Sequence, residues 1–163
     1  MYILWGKILG RGFSLEKSNR KIFRTTHKLG FLPSSYVSID GDRISLKPKN
    51  MIVSKLSIFK NGYEMGEIDL HAHFHATISL KTKEGEVDRF KFEDIPFAQT
   101  FILSNSKAQI LKFSSSLNPL LLREKFTIEV LSDIFPREAI EELIFYSGEI
   151  LFRKPSVSSP SSF

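Results

Sequence analysis

Two dipeptides, Asp40-Gly41 and Asn61-Gly62, constrain the fold of this chain more than any other feature. Each sits between runs in which apolar and polar residues alternate, SYVSIDGDRISLK and SKLSIFKNGYEMGEIDL. Such pairs supply the positive φ that a two-residue type I′ hairpin turn demands. Alternation with period two buries one strand face and leaves the other in solvent. GFSLEKSNRKIFRTT reads the same way with Ser18-Asn19 as its turn, and HATISLKTKEGEVDRFKFED turns at Glu84-Gly85. Adding YILWGKIL, AQTFILS, AQILKFS and KFTIEVL gives about ten short, closely spaced strands, which is the pattern of an antiparallel barrel or closed sandwich. The expected fold class is therefore mainly β.

One segment departs from period two. FPREAIEELIFYSGEILFRK places Ile140, Leu143, Ile144, Ser147 and Leu151 at helical spacing, and Phe145, Ile150 and Phe152 widen that stripe. Pro136 suits the first helical position, acidic residues crowd the first turns, and Arg153 and Lys154 close the end, in keeping with the helix dipole. Ser147 and Gly148 in mid-helix allow a close approach, either to a partner or, more simply, to the protein's own core. NPLLLRE reads as one short helical turn capped by Asn118. After Pro155, SVSSPSSF is rich in Ser and Pro and is expected to be disordered. The chain thus reads as one barrel-like domain over residues 1–153 and a tail over 154–163.

Fifteen phenylalanines in 163 residues point to a core of large rings. The absence of cysteine removes disulfide scaffolds, thiol catalysis and Cys-based zinc sites. MYILWGKILG is too short for a membrane span and lacks the basic start of a signal peptide. The expectation is a soluble cytoplasmic protein, open to peripheral membrane contact.

IDLHAHFHATISL carries three of the four histidines. Even positions from Ile68 to Leu80 are apolar and odd positions from Asp69 to Ser79 are polar, so the stretch reads as one strand. His71, His73 and His75 then share its outer face. Histidines two apart on a strand lie roughly 7 Å apart, close enough for two of them to share a zinc. A catalytic zinc, however, needs three ligands about an open position in a dry pocket, and an outer row does not supply one. The plainer explanation, an exposed polar face, ranks first. A partner or self-association surface that titrates near neutrality ranks second. The histidine row is the only metal candidate, no cofactor is implied, and no phosphate-binding glycine loop or nucleophile elbow is present.

The order of many strands and then one apolar helix, with SIFKNGYEMGEI and its Gly66, resembles the tubby C-terminal-like fold. Tubby, the LURP-one-related proteins and the phospholipid scramblases share that fold. The resemblance would cover most of residues 1–153 and implies a closed barrel around a hydrophobic C-terminal helix. Glu138, Glu141, Glu142 and Glu149 depart from that pattern, because a buried charge is costly. They lead to the expectation that this helix lies across an open barrel end or on a sheet face. A pleckstrin-homology-like barrel is the rival resemblance. Both families include phosphoinositide binders.

Charge points the same way. Residues 1–60 hold 12 Lys+Arg against 3 Asp+Glu, a net of +9, and residues 61–163 hold 11 against 15, a net of −4, which together give the overall +5. Lys17, Arg20, Lys21, Arg24 and Lys28 flank one hairpin tip and form the candidate anionic-ligand site, with Arg20, Arg24 and Lys28 in phase if the strand is regular. The simpler alternative is an edge strand guarded by charge. The expected function is a non-enzymatic binding domain for anionic lipid or a membrane surface. A protein-interaction or self-association module and a histidine-ligated metal protein are the alternatives, and nucleic acid is disfavoured.

Overall fold

The computed structural model describes residues 1–7, 12–28, 34–50, 53–71, 75–118 and 123–153. Its strands are β1 (Tyr2–Lys7), β2 (Phe13–Lys17), β3 (Arg20–Arg24), β4 (Thr26–Lys28), β5 (Ser34–Ile39), β6 (Asp42–Pro48) and β7 (Lys55–Lys60). They continue as β8 (Tyr63–Leu70), β9 (Ala76–Lys81), β10 (Val87–Ile95), β11 (Thr100–Ser104), β12 (Gln109–Asn118) and β13 (Arg123–Val130), followed by helix α1 (Arg137–Phe152). All thirteen strands form one antiparallel sheet in the order β3-β2-β1-β13-β12-β11-β10-β9-β8-β7-β6-β5-β4. The two edges, β3 and β4, are separated in sequence only by Thr25, whose amide donates to the Phe13 carbonyl at 3.0 Å. One run of chain therefore pairs first with β2 and then with β5, and the sheet is nearly closed into a barrel.

The predicted turn pairs behave as their chemistry requires. Asp40 and Gly41 have φ of 49° and 84°, and Asn61 and Gly62 have 51° and 87°. Ser18 and Asn19, at 51° and 61°, make the same turn without glycine. Inward residues such as Leu4, Leu15, Ile44, Ile58, Ile78 and Phe113 are wholly buried.

Two elements differ from the sequence reading. IDLHAHFHATISL is not one strand. β8 ends at Leu70 and β9 begins at Ala76, paired antiparallel with Leu70 opposite Ala76. The His71 amide donates to the His75 carbonyl at 2.8 Å, so the chain reverses within the histidine run. Ile68, Ala76 and Ile78 do face the core. A hairpin whose arms are in phase looks like one long strand to a period-two reading. At NPLLLRE, β12 runs to Asn118 and β13 starts at Arg123, and the expected helical turn between them, Pro119 to Leu122, lies outside the described residues.

The helix starts one residue later than expected, with Pro136 as its cap, and it is not laid on a face or an end. Twelve of its sixteen residues, Ile140, Glu141 and Leu143 to Phe152, are buried. It touches Tyr2 on β1, Phe13 on β2, Phe23 on β3, His27 on β4, Ser35 on β5, Lys60 on β7 and Phe126 on β13. A helix in contact with both sides of the seam is enclosed by the barrel. It enters beside Tyr2, Asp40 and Lys60 and leaves beside Gly6 and Ser35. Lys154 and the tail lie outside the described residues.

The carboxylates are accommodated because each meets its own partner. Glu142 accepts from Lys60 Nζ at 2.6 Å, and Glu149 accepts from Arg153 Nε at 3.1 Å. Burial alone would lower the Lys60 ammonium, but the bond to Glu142 and the charge of Asp42 outweigh it and raise it. Glu138 stays outside with Arg137. Ser147 donates to the Leu143 carbonyl at 2.7 Å, and a Cβ on Gly148 would strike the Phe13 ring. The small pair therefore serves an internal contact.

Glu141 is the least compensated of these acids. Its partner is the Tyr2 hydroxyl at 3.3 Å, and burial raises its carboxyl above the ordinary carboxylate range. Burial, then the charge of Glu141, pushes the Tyr2 phenol up to about 12. A carboxyl raised in the fold binds its proton more tightly folded than unfolded. Its contribution is therefore intact below the ordinary value of 4.5 and is lost as pH rises above it. Glu141→Gln is expected to be more stable than the native chain at pH 7 and indistinguishable at pH 3.5. Urea midpoints at the two pH values measure this, and a loss at pH 7 would contradict it.

Candidate functional site

The barrel wall formed by β13, β1, β2 and β3 carries a cleft of about 420 Å³ on its outer side. Strand parity explains its lining. On β1, Tyr2, Leu4 and Gly6 point inward, so Trp5 and Lys7 point outward. In register, Trp5 lies opposite Ser14 on one side and Lys125 on the other, and Lys7 lies opposite Arg123. Arg24 lies opposite Ser14 and Lys21 opposite Glu16. Lys7, Lys21, Arg24 and Arg123 thereby gather around one indole, with Glu16 as the only acid among the described lining residues.

The floor depends on Gly6. A Cβ there would enter the ring of Phe152 beneath the wall, so helix and sheet pack this closely only with glycine at that place. The Trp5 indole nitrogen donates to Glu16 at 3.2 Å, and Lys125 Nζ lies 5.5 Å from the ring centroid. The indole is thus held from both sides. Among the described residues, Lys7, Lys21, Arg24 and Arg123 have no carboxylate in ion-pair contact. Four unneutralised cations, two of them planar guanidinium forks, suit an anion with several oxygens.

The five cations singled out in the sequence do not stay together. A bulge between Leu15 and Glu16 on the β2 ladder breaks the regular run. It turns Lys21 outward opposite Glu16 and puts Arg20 opposite Lys17. Arg20 and Arg24 are therefore out of phase, contrary to the regular-strand expectation. Lys17 lies at the barrel end where the helix enters, with Nζ 4.7 Å from the Tyr2 ring centroid. Lys28 sits further along the closing strand, where it belongs to a neighbouring cluster. There the Tyr36 hydroxyl accepts from Ser34 at 3.2 Å, Arg43 lies 5.0 Å from the Tyr36 ring and Lys47 lies 5.1 Å from the Phe59 ring. The Ser34 bond first, and the charges of Lys28, Lys47 and Arg43 after it, lower the Tyr36 phenol against an opposing effect of burial. Sequence alone omits Trp5, Lys7 and Arg123 from the site. Strand parity on β1 could have supplied Trp5 and Lys7.

The histidines lie elsewhere. His71 and His75 are exposed at the β8–β9 turn, and His71 Nε2 is 3.3 Å from the Thr77 hydroxyl. His73 lies outside the described residues. His27 points into the barrel, 3.3 Å from Glu149, close enough for an ion pair but not aligned as a hydrogen bond. Among the described residues no three His, Asp or Glu side chains converge as a metal site, and no helix is long and apolar enough to cross a membrane.

No family model, curated protein or solved structure matches the chain.

Proposed function

We propose that this barrel is a non-enzymatic binding domain that takes an anionic, phosphate-bearing headgroup in the Trp5 cleft and so associates with a membrane surface from the cytoplasmic side. The observation that carries this reading is the convergence of Lys7, Lys21, Arg24 and Arg123 around Trp5 without ion-pair partners among the described residues. The volume, about 420 Å³, is in the range of small-ligand sites. Tryptophan is at home at the polar boundary of a bilayer, where one edge is apolar and the other wet. Lys28, Arg43 and Lys47 extend the positive wall beyond the closing strand. The enclosed C-terminal helix is also what a tubby-like resemblance implies, which supports keeping that resemblance as part of the proposal.

Co-sedimentation with vesicles of phosphatidylcholine, alone or with phosphatidylserine or a phosphoinositide, tests the reading. The chain should prefer anionic vesicles and release them as salt rises. Each cation near such a surface is worth about 1 kcal/mol, so Lys21→Ala with Arg24→Ala should weaken partitioning about 30-fold. Lys17→Ala with Arg20→Ala, away from the cleft, should weaken it less. Equal partitioning onto neutral and anionic vesicles at low salt would reject the proposal.

A further inference from the structure

We propose that the β10–β11 turn is a membrane-inserting tip, with Phe97 entering the acyl region of an anionic bilayer. This rests on the membrane reading above and adds the orientation of the barrel.

Phe97 is the most exposed large apolar residue described, at 107%, and Ile95 beside it is 41% exposed. The Ala98 amide donates to the Ile95 carbonyl at 3.2 Å, so Ile95 to Ala98 close a four-residue turn. Pro96 takes its second place, and Phe97, with φ of 67°, takes the third. A type II turn wants glycine or asparagine there, because a side chain at positive φ is sterically costly. The tip is also pinned: the Thr100 hydroxyl donates to the Ala98 carbonyl at 2.9 Å, and the Ser115 amide donates to the Gln99 carbonyl at 3.0 Å. A bulky ring is thus held in an unfavoured backbone conformation on a fixed support, pointing at solvent. Strain kept at an exposed site argues for a role outside the core.

Charge selects the occupant. β10 ends, and β11, β13 and β5 begin, at the barrel end where the helix leaves, and β1 ends there. Across the sheet Arg123 is two strand spacings from β11 and Lys7 three, roughly 10 and 14 Å at about 4.8 Å per strand, and both stand further toward that end, since Arg123 pairs with Asn118, beyond the Ser114 that pairs with Thr100. Arg24, Lys28 and Lys47 lie toward the same end on their strands. Glu93 and Asp94 lie back along β10, behind the tip, where they remain in water. The opposite end also exposes apolar groups, Met1, Val130, Leu131 and Ile134. Those stand among Glu129, Asp133 and Glu138, which an anionic surface repels. The opposite end also carries Tyr63, 76% exposed, with Lys17 and Arg20, but these stand among Asp40, Asp42, Glu64, Glu129, Asp133 and Glu138. The Phe97 end has the more positive balance, which fits an anionic bilayer better than a neutral apolar partner.

The chain has no cysteine, so Phe97→Cys gives a unique attachment point. A nitroxide there should become shielded from a water-soluble nickel relaxant when phosphatidylcholine–phosphatidylserine vesicles are added. The same label on Tyr63→Cys, at the other barrel end, should stay accessible. Unlabelled Phe97→Ser should partition about 10-fold more weakly or worse, the factor expected for burying one aromatic side chain. It should unfold at the native midpoint, because the ring supports nothing in the fold. Vesicle binding by the unlabelled native chain with the label at 97 still accessible would overturn the insertion and leave the headgroup cleft standing. Absence of vesicle binding by that chain at low salt would overturn both.

Discussion

Arg153→Ala is expected to lower folding stability by about 3–5 kcal/mol, the cost of leaving a buried charge without its partner. The Glu149 side chain is 2% exposed and that of Arg153 is 8% exposed. Arg153 bonds Glu149 through Nε at 3.1 Å and reaches the Ser35 hydroxyl at 3.4 Å, tying the end of the helix to β5. His27 lies 3.3 Å from the other Glu149 oxygen but is not aligned to donate, so it is a poor substitute. Whole-domain stability is commonly about 5–15 kcal/mol, so this single change should consume a large part of it. The control is Glu149→Leu with Arg153→Met, which removes both charges and keeps apolar volume. Buried pairs replaced in this way are often neutral or stabilising, and the double variant should recover most of the loss. Urea denaturation measures both, and a loss under 1 kcal/mol for Arg153→Ala would show that the pair does not hold the helix.

Phe152→Ala should cost about 3–5 kcal/mol by the usual sum of lost transfer energy and cavity. Its ring stacks on Phe13 with centroids 5.2 Å apart and meets Phe126 edge-on at 5.6 Å. It also fills the space over Gly6. The pair can be tested for coupling. Gly6→Ala should be destabilising in the native chain, where the new methyl meets the ring, and close to neutral once Phe152 is alanine. Additive effects would mean that the ring and the glycine do not share that space. Because Gly6 also floors the cleft, Gly6→Ala links the core to the proposed binding surface.

How far the sequence discloses this molecule can be judged element by element. The turns at Asp40-Gly41 and Asn61-Gly62 are legible because positive φ is a local demand with few residue solutions. The helix is legible because its period of 3.6 is local too. Its burial is not, since Glu141 is answered by Tyr2, Glu142 by Lys60, and Arg153 reaches Ser35, all distant in sequence. Four glutamates argue for an exposed face until those partners are placed. The histidine stretch misleads for another reason. Parity states which face a residue takes but not where a chain reverses, and HAHFH holds no Gly, Pro or Asn to mark the reversal. The cleft is legible in part: Trp5 and Lys7 alternate outward on β1, whereas Arg123 joins them only because β13 pairs with β1.

By itself, then, the sequence determined the strand-rich class, the hairpin turns, the single helix and the basic bias of its first sixty residues, each through short-range periodicity, backbone sterics or a sum of charges. The tertiary structure decided that the helix is threaded through the barrel and that a bulge in the β2–β3 pairing puts Lys21 and Arg24 on one surface and Arg20, opposite Lys17, on another. It also decided that Trp5, Lys7 and Arg123 complete that surface. Those outcomes depend on which distant strands become neighbours, and a pattern with a period of a few residues carries no information about that.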